Sequence, residues 1–189
     1  MTALPLWDHR WVAKAFLQKG ISRLGLLPVY HAGQRVVGRL KDFDPQDRLQ
    51  YAGKLAADIG VDRLRGARVV EIGTGWVPVV PMGLHLLGAA SIETFDLSRH
   101  LQPELSEQAR LMLGRHLGEL AQRAGAQVTE LQSRLNQVPR DSWREIAHHM
   151  RIVYRAPEDF CYSGIPDASV DVVYSNLVLE HLLCDELAA

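Results

Sequence analysis

Two features of this chain have residue types and spacing that could do chemistry. Gly73-Thr74-Gly75 stands between an apolar run, Ala67-Arg68-Val69-Val70-Glu71-Ile72, and a helical pattern reaching Leu87 and Gly88. Asp96 closes a second run, Ser91-Ile92-Glu93-Thr94-Phe95-Asp96, 23 residues after Gly73. Glycines at such a turn accept positive φ and carry no side chain, so backbone can approach a ligand closely. The start of the next helix offers free N–H groups and the positive end of its dipole, which suits a phosphate or a carboxylate. An acid after the second strand can accept both hydrogens of a ribose cis-diol, and its charge strengthens both bonds. The plainer alternatives are an ordinary turn for the glycines and an N-cap or loop acid for Asp96. The dinucleotide fingerprint needs a third glycine, and Trp76-Val77-Pro78 does not supply it. No Gly-Lys-Ser/Thr follows, so the turn is not a Walker loop.

Other constellations are weaker. His148-His149 and His181-Leu182-Leu183-Cys184 lack a second Cys/His pair at zinc spacing, so no metal is expected. No Gly-x-Ser-x-Gly nucleophile elbow and no aromatic-basic nucleic-acid signature occurs. Trp7, Trp11 and Trp143 read as packing residues, whereas Trp76 lies in the glycine turn.

The elements that must position these residues alternate. An amphipathic helix is predicted over 7–26 and a second over 45–59, with Asp44 as N-cap, Pro45 at the first helical position and Gly60 as the stop. Strands follow at 67–72 and 91–96. Pro78 and Pro81 fit the first turn of the intervening helix, where N–H groups have no intrahelical partner. Helical stretches at 103–124 and 127–137 come next, and Ser142 with Glu145 has the form of a capping box for a helix to about 150. Strands at 151–154 and 169–174 and a helix at 177–188 complete the pattern. Strands alternating with helices predict an α/β domain with a mainly parallel sheet. The division expected is a helical leader over 1–65 and a sheet domain over 66–189, with a helical insertion at about 101–150 covering part of the sheet edge or the ligand mouth.

With 189 residues, 47% apolar and 23% charged, the chain can bury a core and is not a disordered sequence. The net charge of −1 gives no overall pull on a polyanion. The charge is unevenly spread, since every lysine (Lys14, Lys19, Lys41, Lys54) lies in the basic front part. That front could meet an acidic substrate, a lipid headgroup or nucleic acid, but a solvated helical face is the simpler reading. No membrane span or secretory signal is read, and peripheral membrane contact of the leader stays open. Two cysteines, Cys161 and Cys184, exclude a disulfide scaffold, and the cytoplasm is the expected location.

Val69-Val70-Glu71-Ile72-Gly73-Thr74-Gly75 followed by Phe95-Asp96 resembles the first two motifs of class I S-adenosylmethionine-dependent methyltransferases, of the methyltransferase type 11 kind. Ile165-Pro166-Asp167-Ala168-Ser169-Val170-Asp171-Val172-Val173-Tyr174-Ser175-Asn176, then Val178-Leu179-Glu180-His181, resembles their fourth-strand block and is the more specific match. The resemblance covers about 66–185. It implies a Rossmann-like sheet and S-adenosyl-L-methionine as cofactor. It implies that Glu71 steadies the glycine loop and the amino-acid end of the cofactor. Gly73, Thr74 and Gly75 would line the methionyl part, and Asp96, with Leu97 beside it, would hold the ribose. Ala156, Glu158 and Asp159 would border the adenine, with Glu158 or Asp159 accepting from its amine. Ser175 and Asn176 would face the cofactor at the end of strand four. Where the family often has an acid before the alanine, this chain reads Arg155-Ala156.

The reaction implied is in-line methyl transfer to an oxygen or nitrogen nucleophile, with much of the rate coming from positioning. A base is needed if the nucleophile must lose a proton, and His181 is the candidate, its alternative being a helix histidine with a structural hydrogen bond. The acceptor would be a small molecule or a glycan- or lipid-like compound. The family sheet has seven strands in the order 3-2-1-4-5-7-6, of which four are readable and strands 5–7 are missing, so a C-terminally truncated chain carrying the cofactor half is expected. The rival functions are a non-catalytic S-adenosylmethionine-binding or scaffold protein and a nicotinamide-dependent oxidoreductase.

Overall fold

The computed structural model describes residues 45–176. The chain divides into two units between Phe43 and Asp44, and every described residue belongs to the second. The predicted helices at 7–26 and 177–188, the Asp44 cap, His181 and Cys184 lie outside the described residues.

Helix α1 spans Pro45–Ile59 and buries Leu49, Ala52 and Ala56, one face of a 3.6-residue period. It lies in the same unit as the sheet, although the sequence grouped it with the leader. A single turn, α2 (Val61–Leu64), leads into strand β1 (Arg68–Ile72). Helix α3 (Val79–Leu86) is apolar nearly all round because it is sandwiched, burying Val79, Val80, Met82, Leu84 and Leu86. Strand β2 is Ser91–Phe95. The insertion holds α4 (Ser106–Arg115), α5 (Leu117–Ala124), α6 (Val128–Gln137) and α7 (Trp143–His149). Strands β3 (Ile152–Arg155) and β4 (Val172–Ser175) follow.

The four strands form one parallel sheet in the order β3-β2-β1-β4. The chain runs outward from β1 through β2 to β3, then crosses back to place β4 on the other side of β1. The strand order therefore reverses between β1 and β4, and the crevice outside the carboxyl ends there is where ligands bind in open α/β sheets. One sheet face carries Val69, Ile92, Ile152, Glu71, Thr94 and Tyr174, all buried. The opposite face carries a charged lattice: Glu93 accepts from Arg68 at 2.6 Å and from Arg155 at 3.2 Å.

The insertion meets the sheet edge through α7, which packs on the edge strand β3, while its other helices pack away from that edge. Helix α5 packs along α1, α6 on α5 and α3, and α4 on α3 and α1. Contact between α1 and α5 is close enough that a Cβ on Gly53 would meet the Arg123 Cβ at 2.8 Å. Gln102, at the start of the insertion, reaches the glycine turn, its N–H donating to the Trp76 carbonyl at 2.9 Å.

Three local expectations are corrected. Arg151 has φ +51°, a left-handed conformation that cannot continue a strand, so β3 begins one residue later than predicted. Ala168 has φ +54° in a turn with Asp167, and the Ser169 hydroxyl donates back to the Pro166 carbonyl at 2.6 Å, so Ser169 and Val170 stay outside the strand and β4 starts at Val172. The capping box does not form: the Ser142 side chain makes no cap bond, and Asp141 takes the Ser142 N–H at 2.7 Å.

Candidate functional site

Gly73 and Gly75 have φ +90° and +72°, the region that L side chains avoid. The turn they make folds back on β2: the Gly73 N–H donates to the Phe95 carbonyl at 2.7 Å, and the Gly75 N–H donates to the Asp96 carboxylate at 3.3 Å. A Cβ on Gly75 would meet nothing within 4 Å, so this surface of the turn is open. The sequence-predicted glycine turn and acid are thus brought together at the carboxyl ends of β1 and β2.

Asp96 is buried, and its pKa is pushed up to about 7. Desolvation is the main cause and the nearby Glu71 adds to it, while Tyr154 and the Gly75 N–H oppose it. Glu71, at the floor of the site, is also raised by burial. It accepts from the Thr94 hydroxyl at 2.8 Å. The Thr74 and Tyr174 hydroxyls are near enough to favour its charged form, yet neither closes a bond of good geometry. The buried Thr74 hydroxyl in particular has no partner.

Helix α3 is a poor phosphate cradle. Its N-cap is Pro78 and its third residue is Pro81, so two amide hydrogens that a pyrophosphate would use are missing. Val77, Val79 and Val80 are buried around it.

The remaining predicted residues divide. Leu97 is 65% exposed and presents an apolar surface next to Asp96. Ser175 ends β4 and Asn176 follows it, across the crevice from the glycine turn, but the Ser175 hydroxyl donates to the Ile72 carbonyl at 3.0 Å and so fastens β4 to β1. Glu158 is gripped through both oxygens by Arg155, at 2.9 Å from Nε and closer from Nη2. Asp159 accepts the Cys161 N–H at 2.9 Å and caps a short turn, with Ala156 half-buried ahead of it. Both acids expected at the adenine are therefore engaged within their own loop.

Comparison with models of protein families, with curated proteins and with solved structures finds no match. The chemistry therefore has to come from the residues themselves.

Three of them carried no sequence motif. Tyr154 accepts backbone N–H bonds from His100 at 3.0 Å and Leu101 at 3.3 Å, beside Asp96. Tyr51 of α1 donates to the Ser175 carbonyl at 3.4 Å, at the end of β4. Arg48 lies one turn earlier on the same helix face and has no hydrogen bond or ion pair among the described residues. Its field acts on Glu71, Tyr51 and Tyr174. Only strand register and the direction of α1 could have identified this trio. Among the described residues no cluster of three metal-ligating side chains occurs, and no helix is long and apolar enough to cross a membrane.

Proposed function

We propose that this chain binds S-adenosyl-L-methionine at the β1/β4 crevice of a Rossmann-like sheet and takes part in methyl transfer from it. The observation that carries this reading is the joining of the open glycine turn to the buried Asp96 carboxylate through the Gly75 N–H. The residues present suit such a ligand: an acceptor for a cis-diol, an open glycine surface, an unpartnered Thr74 hydroxyl, and a helix start that is short of phosphate donors. When bound, S-adenosylmethionine supplies an electrophilic methyl group on its sulfonium.

The protein's part is to hold and orient. Asp96 accepts from the ribose hydroxyls, and Leu97 covers one face of the nucleoside. Gly73 and Gly75 let the backbone approach the chain leading to the sulfur. Arg48, half-buried above Tyr51, places a positive charge for the amino-acid carboxylate.

Titration calorimetry with S-adenosylmethionine, S-adenosylhomocysteine and NAD tests this. Binding of the two adenosyl ligands and not NAD is expected. Binding of NAD alone refutes the reading in favour of hydride transfer, and adenosyl binding without methyl transfer by any longer form of the chain favours a binding or scaffold role.

A further inference from the structure

Helices α4 and α6 border a cavity of about 240 Å³. Arg110 and Leu111 line it from α4, Gln132, Leu135 and Asn136 from α6, and Arg140 from the loop beyond α6. None of these residues belongs to the glycine-turn site. The cavity is smaller than the roughly 300–1,000 Å³ of a pocket for a drug-sized ligand, so it suits a small ion or the charged end of a larger molecule.

The charge in the lining has one sign. The Arg110 side chain is only 9% exposed. A buried guanidinium needs a partner, and Glu107, one turn earlier on α4, supplies it. The two Glu107 oxygens accept from Arg110 Nε at 2.6 Å and from Nη2 at 2.7 Å. This fork fixes the plane of the guanidinium and leaves Nη1 without a bond among the described residues. Glu107 itself does not line the cavity. Arg140 is exposed and makes no hydrogen bond or ion pair among the described residues. Among the described residues the lining therefore carries two guanidinium charges and no carboxylate.

The amides favour the same guest. Gln132 Nε2 donates to Asn136 Oδ1 at 2.9 Å, which leaves the Asn136 Nδ2 hydrogens for a ligand. The exposed Leu111 and the buried Leu135 add an apolar wall. Two guanidiniums and an amide donor around a small space with one apolar side match the planar or tetrahedral oxygens of a carboxylate or a phosphate on a short carbon skeleton.

We propose that this cavity is a binding site for a small oxyanion, a carboxylate or a phosphate group, held between Arg110 and Arg140 with the Asn136 amide as a third donor. The site stands independently of the nucleoside reading above.

The test is an NMR titration near neutral pH and at constant ionic strength, with inorganic phosphate and acetate as separate probes. It follows the Arg110 Nε signal and the backbone amides of α4, α6 and the glycine turn. Saturable shifts are expected at Arg110, Leu111 and Asn136, with Gly73 and Gly75 unmoved. Saturation by phosphate alone or by acetate alone names the preferred group and upholds the site in either case. Arg140→Gln should weaken binding about fivefold, the upper value for an exposed ion pair. Asn136→Asp, which puts a carboxylate into the lining, should weaken it further. Both positions are exposed, so the fold is kept. Shifts that rise without saturating, saturation at the glycine turn instead, or equal affinity in the wild type and both variants overturns the assignment.

Discussion

The Gly75 N–H meets the Asp96 carboxylate at 3.3 Å, so the turn after β1 and the residue after β2 are one structural unit. That unit sits beside the point where the sheet reverses its strand order, which gives the glycines and the acid a common purpose. It also has an energetic cost, because Asp96 is held in surroundings that disfavour its charge.

The cost gives a pH signature. The folded Asp96 pKa of about 7 lies above its ordinary value of 3.8, so the folded state holds this proton more tightly than the unfolded one. Its contribution to stability is complete below about pH 4 and is lost as pH rises through 7, a swing on the order of 4 kcal/mol. Asp96→Asn should remove the swing, and its stability relative to wild type should improve steadily between pH 4 and pH 8 in denaturant titrations. A difference that does not change with pH would contradict the buried, neutral-favouring environment.

His85 works in the opposite sense. It lies on α3 with its ring 6.4 Å from His149, and its Nδ1 is buried without a partner. Desolvation, followed by His149, Arg134 and Arg151, lowers its pKa from 6.5 to about 4. Its stabilising contribution is present above pH 6.5 and lost as pH falls through 4, a change of roughly 3 kcal/mol. The two residues largely cancel between pH 4 and 6.5. His85→Gln should expose the Asp96 slope, so that this variant gains stability relative to wild type on acidification through this window. A constant difference would show that His85 is already charged in the fold.

Arg155 is the fastener of the loop after β3. Its guanidinium reaches Glu158, Glu93 and the Ser163 carbonyl, and it stacks 4.8 Å over the Phe95 ring. A lysine ammonium is a point charge and cannot span those acceptors. Arg155→Lys should cost about 1–2 kcal/mol and speed amide exchange across residues 156–163 more than in β1. Exchange rates equal to wild type in that segment would show that the loop is held by other contacts.

Much of this arrangement was legible in the residues. Pro45 at a first helical position and Gly60 as the stop place α1 within its observed bounds, and alternating strands and helices give the parallel sheet. The strand starts were displaced because Arg151 and Ala168 take left-handed φ values that nothing in their residue types announces. The capping box failed because Asp141, one residue earlier, competes for the same N–H. The glycine turn and Asp96 were found from local spacing. Tyr154, Tyr51 and Arg48 were missed because their meaning depends on which strands are neighbours and which way α1 runs. Glu158 looked available until Arg155, three residues before it, was seen to grip both of its oxygens.

The central claim concerns one carboxylate and one ligand, and calorimetric titration of S-adenosylhomocysteine into wild type and Asp96→Ala addresses it most directly. Measured at pH 8, where Asp96 is ionised, wild type should bind and Asp96→Ala should bind more weakly by about 1.5–3 kcal/mol, the value of charge-assisted hydrogen bonds. Equal affinity of the two proteins, or no binding by the wild type, would contradict the assignment of Asp96 to the ribose.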